Sequence, residues 1–358
     1  MPFKKLIIPK KDEIVRAVSE MPDVKACSDL RQIGNQHRLE VTPVEGNISY
    51  VDFYFNKGGD VTIQPKVGPN PEFSAKVAQH VKDTLCCSAE ALKKTASLPN
   101  FKEEDCATLI QFLREELGLT VAMSTHPLHL SYTLSSDRDG KVTLNYYSST
   151  KKLVVQGAAC SLKFQVNNAI AEICPEVSDA LILWMTDAYD VKMTKEDVER
   201  ELSSLLPISF SHIQGKLIEI LKPGIVYLRM SLPKGVNDYS SFVYPGFRAL
   251  EGALKIVFQK QNPATEFRCE PLSGRFDERG GRYILNGQYG PAFSDVTLVS
   301  AINEAYTFFK NNRHSVFHVD DSIETSRLIE TKEKADELFR YSLIHIEKII
   351  SEAVKRFG

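Results

Sequence analysis

Twice in the first half of the chain, a stretch of alternating apolar and polar residues turns back on itself and runs into a helical pattern. Residues 50–64 alternate around a Gly58-Gly59 turn, and residues 142–156 repeat the same strand lengths. A period of two sends successive side chains to opposite faces of a sheet, and a Gly-Gly pair supplies the positive φ of a tight hairpin. After the first hairpin Val77, Ala78 and Val81 fall on one helical face, and after the second Ala169, Ile170 and Ile173 do the same. Helical patterns at 11–21, 71–85 and 103–117 complete the layout. The expectation is two copies of a small α+β unit with an antiparallel sheet, residues 1–92 and 93–192.

From Thr194 the pattern becomes helical. Thr194-Lys-Glu-Asp197 resembles a capping box with Asp at its last position. It opens a periodic run to 221, interrupted at Pro207, and Pro223-Gly224 reads as its stop. Residues 225–230 read as a strand or connector, 240–259 as a helix, and 261–290, rich in Gly, Pro and Arg, as an irregular loop. Ser294 is the expected cap of a helix running towards Asn312, and 322–356 supplies one long or two shorter closing helices. The fold class expected is therefore multidomain α+β, with two repeat-like sheet units followed by an all-α bundle over 193–358.

A chain of 358 residues with 43% apolar content can bury two or three cores. Its net charge of -2 and pI near 6.5 provide no global attraction for nucleic acid, so an RNA site must be local. Seven cysteines without Cys-x-x-Cys pairs imply reduced thiols. The apolar run at the start is too short for a secretory signal and no later stretch reaches the length of a membrane span, so no membrane association and a cytoplasmic location are expected.

The strongest chemical signal is Arg313 followed five residues later by His318. Histidine exchanges a proton near neutral pH and arginine forks onto phosphate oxygens, a combination suited to phosphodiester cleavage. Five residues turn a regular helix by about 140° beyond one full turn, so the two side chains would not share a face. Either Asn311-Asn312 ends or loosens the helix before the motif, or the site lies across a two-fold axis between subunits. Arg248 and Glu251 are three residues apart on a helical face. They suit a solvated ion pair, the orientation of Arg313 or the holding of a phosphate.

His314 and His318 have the spacing of a metal-binding pair, but Ser315 stands where the glutamate of His-Glu-x-x-His would be. No metal and no cofactor are expected, and His314 is assigned to phosphate or to a partner subunit. Nothing convergent accompanies His126 and His129. Arg268, Arg275, Arg279 and Arg282 are interleaved with acids and read as a solvated loop. Phe308, Phe309 and Phe317 read as core or interface residues.

The segments YPGFRALEGALK (244–255) and AYTFFKNNRHSVFH (305–318), in their order and separation, resemble the C-terminal domain of the RNase LS-type toxins, the RnlA/LsoA family of HEPN-domain endoribonucleases in toxin-antitoxin systems. The resemblance implies a HEPN-like bundle over 193–358 with Arg313 and His318 catalytic, Arg248 and Glu251 supporting them, and His314 at the substrate. It also implies a homodimer, an mRNA substrate cut without metal by the ribose 2′-hydroxyl, a cognate antitoxin at the C-terminal domain, a phage-encoded inhibitor and a part in anti-phage defence. The competing expectations are a catalytically silent dimeric scaffold or nucleic-acid-binding protein with a HEPN-like domain, and a metal-dependent hydrolase using His314 and His318.

Overall fold

The structure, a computed structural model, describes residues 3–317 and 329–357 except 5, 9–10, 12, 57–60, 89–94, 136–140, 158–160, 214, 231–237 and 268–270; at residues 7, 66–67, 87–88 and 313–317 only the backbone is described. It is α+β, with two N-terminal sheets and a helical C-terminal region. Among the described residues no helix is long and apolar enough to cross a membrane.

The first unit contains β1 (Leu6–Ile7), α1 (Glu13–Ser19), β2 (Val24–Cys27), β3 (Arg31–Ile33), β4 (Gln36–Pro43), β5 (Ser49–Phe55), β6 (Val61–Val67), α2 (Pro71–Leu85) and β7 (Cys87–Ser88). Its sheet has the order β2-β4-β5-β6-β1-β7, with β3 paired to β4. The hairpin expected around Gly58-Gly59 is β5–β6, paired from Phe55 opposite Val61, while the turn itself lies outside the described residues. The start of α2 is set locally: Asn70 accepts from the Phe73 amide at 3.2 Å and Pro71 opens the helix.

The second unit has β8 (Ala96–Leu98), α3 (Glu103–Glu115), β9 (Thr120–Thr125), β10 (Leu130–Ser135), β11 (Lys141–Tyr147), β12 (Lys152–Gly157) and α4 (Ser161–Ile173). Its sheet order is β8-β12-β11-β10-β9. Both units open with a strand and a helix and continue through antiparallel strands to a second helix. There are five such strands in the first unit, where β2 and β3 both pair with β4, and four in the second; in each unit the opening strand pairs antiparallel to the last of them. Their cores differ. Residues from Leu6 to Cys86 form one cluster, whereas a single continuous cluster runs from Ala96 to Ala353. The reason is α4, which is buried on nearly all sides because sheet and C-terminal helices both cover it.

After α5 (Ser178–Ala188), α6 (Lys195–Leu205) begins at a complete capping box made by Thr194 and Asp197. The next helix corrects the sequence reading. α7 (Lys216–Arg229) passes through Pro223-Gly224, and residues 225–229, expected to form a strand or connector, are its last turns. α8 (Ser240–Gln261) likewise passes through Pro245-Gly246. Both glycines face α10 (Lys332–Phe357): a Cβ on Gly224 would sit 2.2 Å from the Phe339 ring, and one on Gly246 would sit 2.9 Å from both Phe339 and Ser342. Proline removes an N–H from the helical ladder, while the neighbouring glycine lets an aromatic ring approach the backbone. Phe339 is only 1% exposed and cannot swing away, so Gly224→Ala is expected to destabilise the fold by about 2 kcal/mol despite alanine's better helix propensity, read as a lower urea midpoint.

Residues 261–290, expected to be irregular, contain a hairpin of β13 (Phe276–Arg279) and β14 (Arg282–Leu285). The C-terminal region is thus not all-α. Gly280 and Gly281, at φ of +60° and +77°, form the two-residue turn that Arg-Gly-Gly-Arg encodes. The hairpin lies on α9 (Val296–Phe317), with Phe276 stacked on Tyr306 at 3.7 Å and the Tyr283 and Leu285 amides donating to Thr307 and Asn303. The cap of α9 is Asp295, which accepts from the Thr297 and Leu298 amides; Ser294, the expected cap, is left-handed at φ +52°.

Candidate active site

α9 carries Arg313 and His314 in its last turns and remains helical to Phe317. The break does not occur at Asn311-Asn312, because both side chains are occupied: Asn311 donates to the Gly281 carbonyl of the hairpin at 3.1 Å, and Asn312 donates back within its own helix to the Phe308 carbonyl at 2.8 Å. Their weak helix propensity is overridden by packing against the hairpin and α8. His318 and the side chains of Arg313, His314 and Phe317 lie outside what the structure describes. Phe309 is buried beside Phe247, and Phe308 is half-buried between Phe247, Tyr341 and His345.

The structure does bring Arg248 and Glu251 together, with Nη1 to Oε2 at 3.1 Å, and adds a residue that the sequence did not reveal. Glu172 on α4 is 3% exposed at its side chain and takes Arg248 Nε and Nη2 on Oε1, each at 2.7 Å, and the Tyr244 hydroxyl on Oε2 at 2.8 Å. Lys255 donates to the other Glu251 oxygen at 2.7 Å. Two carboxylates thus face two cations. Burial pulls the Arg248 pKa down, but the neighbouring Glu172, Tyr244 and Glu251 more than offset this and leave it raised. The Tyr244 hydroxyl is pushed well above its ordinary range, first by burial and then by Glu172. Arg248 is therefore locked as a cation whose fork is committed to joining α8 to α4. Glu172 had one weak signature: a lone acid in the otherwise apolar turn Ala169-Ile-Ala-Glu-Ile173.

His345 on α10 packs against Phe308 with ring centres 4.8 Å apart and planes tilted by 33°, facing the Glu304–Lys348 pair. Burial lowers its pKa below the ordinary 6.5; Glu304 opposes this and Lys348 assists it. A folded-state pKa below the unfolded one means that the unfolded chain binds the extra proton, so this contribution is complete above about pH 6.5 and is lost as pH falls through the depressed value. Urea unfolding at pH 7.5 and pH 5.5 is expected to show that loss, and His345→Gln should flatten it.

The four arginines read as one solvated loop separate. Arg275 is 4% exposed, its guanidinium within 5.2 Å of the ring centres of Phe258, Phe267 and Tyr289. Arg279 and Arg282 are exposed beside the hairpin turn, and Arg268 is outside the described residues.

Comparison with known proteins places these parts. Models described as RNase LS bacterial toxin N-terminal, RNase LS bacterial toxin, and RNase LS bacterial toxin DBD domain match residues 3–81, 93–175 and 194–320 in that order. Two sheet units and a helical region in this sequence define a three-part bacterial toxin of the RNase LS class. The chain belongs to the RnlA/LsoA family of that class. It is 24% identical over 331 residues to the mRNA endoribonuclease toxin LS of Escherichia coli K12, covering 90% of this chain and 87% of that protein. It is 23% identical over 336 residues to the mRNA endoribonuclease LsoA of Escherichia coli O157:H7, covering 92% of each. The crystal structure of the Escherichia coli toxin LsoA with the T4 phage antitoxin Dmd matches with 21% identity and a TM-score of 0.45, over 72% of this chain and 99% of that one.

Proposed function

We propose that this protein is an endoribonuclease toxin that cuts mRNA without a metal ion. The observation that carries the reading is membership, over nearly the whole chain, of a family whose curated relatives are named mRNA endoribonucleases, with Arg313 and His318 inside the third matched region. In the proposed reaction the ribose 2′-hydroxyl attacks the adjacent phosphorus and the 5′-oxygen leaves, giving a 2′,3′-cyclic phosphate and a 5′-hydroxyl. His318 moves the proton as base or acid, Arg313 stabilises the pentacoordinate phosphate, and His314 contacts the substrate. Because the Arg248 fork is committed to Glu172 and Glu251, we assign these residues to positioning rather than to phosphate contact.

The continuity of α9 past Asn311-Asn312 favours the shared cleft over the local break, so the active form is a homodimer of HEPN-like bundles, each contributing one motif to the cleft. Residues 1–92 and 93–192 then serve as the N-terminal domains and 193–358 as the catalytic and antitoxin-binding one. A cognate antitoxin would hold such a toxin in check, a phage-encoded inhibitor would engage the same C-terminal domain, and the free toxin would act in anti-phage defence. The test is cleavage of a defined RNA and of its copy with one 2′-deoxy residue at the cut, both in excess chelator. The RNA should be cut and the deoxy position should resist. Loss of cleavage in chelator with recovery on added metal would instead establish the metal-dependent reading.

A further inference from the structure

The five-stranded sheet of the second unit turns one face to the core and the other outward, with Ser131 and Asn145 closed over by their neighbours at the centre of the outer face. Tyr132, Leu134, Leu144 and Val155 point inward. Since cross-strand partners share a face, the registers fix every outward position of β9 to β12, from Ser124, Ser131, Asn145 and Val154 in one row to Tyr147 and Lys152 in another. None of these outward positions holds Asp or Glu, although the chain contains 46 acids. Most carry a hydroxyl or an amide, and Lys141 and Lys152 supply positive charge. The first sheet differs: Glu40 and Asp52 stand on its outward face, and Asp52 takes the Arg38 fork at 2.8 Å.

At one corner of the carboxylate-free face the rings form a ladder. His126 and His129 lie 4.6 Å apart at an interplanar angle of 18°, and His129 lies 4.9 Å from Tyr147 at 31°. Ser124, itself outward, lies 3.2 Å from His126 Nε2, and Lys152 is the cross-strand partner of Tyr147. Ring planes beside Lys152, on a face whose outward strand positions hold no acids, match the needs of an unpaired polynucleotide, whose bases stack on aromatic planes while its phosphates avoid carboxylates. A duplex keeps its bases in its own stack and could not use such a ladder.

We propose that this face holds single-stranded RNA, with bases stacked on the outer faces of His126 and Tyr147, which His129 supports from between them, and phosphates against Lys141 and Lys152. The proposal rests on the endoribonuclease reading and adds to it the surface that holds the substrate strand away from the cut. In a net-acidic protein the attraction of a polyanion depends on local faces of this kind.

The test uses the full chain carrying His318→Ala and a labelled single-stranded RNA followed by fluorescence anisotropy. Adding His129→Ala with Tyr147→Ala should weaken binding about tenfold. Adding Lys141→Gln with Lys152→Gln should weaken it and make its salt dependence shallower. Thermal unfolding should match the parent for both sets, as the substituted side chains lie outside the core. Unchanged affinity in both sets, or an equal loss for a duplex of the same sequence, would overturn the proposal. Cleavage by the protein with native His318 is measured separately: if it persists while the surface variants bind as the parent does, this surface fails and the nuclease reading stands.

Discussion

Replacing His318 with alanine is expected to lower the rate of RNA cleavage by about 10²–10⁴-fold, the usual contribution of a positioned proton-transfer group. Arg313→Ala should cost about 10²–10³-fold, because it removes the charge aimed at the phosphate as negative charge develops there. Arg313→Lys should not restore the rate, since an ammonium cannot reproduce a planar two-point contact. The measurement is end-group analysis of a defined RNA in chelator. Full cleavage by correctly folded His318→Ala would eliminate the mechanism. The same two variants examine the dimeric cleft: if one subunit supplies Arg313 and the other His318, mixing the two inactive proteins restores part of the activity. If both residues act from one chain, the mixture stays inactive.

Glu172→Gln is expected to destabilise the fold by about 3 kcal/mol, read from urea unfolding as a lower midpoint with an unchanged slope. The magnitude follows from what remains behind. Arg248 would lose the buried carboxylate on two of its donors while staying charged, and only Glu251, which Lys255 already engages, would be left to it. Glu172→Leu combined with Arg248→Met should recover much of the loss, because an apolar pair of similar volume replaces a buried ion pair at little cost. A loss below about 1 kcal/mol for Glu172→Gln would show that the Arg248–Glu251 pair alone secures the joint. Where RNA cleavage is measurable, a positioning role for the joint predicts a lower kcat with little change in KM.

Much of the first half was legible because its signals act within a few residues. The alternation in β5 and β11, the helical pattern over 71–85 and, further on, the Thr194–Asp197 capping box each depend on neighbours in sequence. The Gly280-Gly281 hairpin carried a signal of equal quality but was hidden among the prolines and arginines around it. The misreadings share one cause. Pro223-Gly224 looks like a stop only until Phe339 is placed against Gly224, and Asn311-Asn312 looks like a break only until Asn311 reaches Gly281.

By itself the sequence determined the α+β class, the order of sheet units before helices, the placement of Arg313 near the end of a helical stretch, and the pairing of Arg248 with Glu251. These follow from periodicity, capping and spacing, which are local properties of the backbone. Only the tertiary structure decided that α4 of the second sheet unit shares one core with the C-terminal helices, that Glu172 neutralises Arg248, and that two stacked histidines of the β9–β10 turn meet Tyr147 of β11 on a face whose outward strand positions hold no acids. Burial sets those features by bringing together groups far apart in the chain, and burial is not written in any short window of residues.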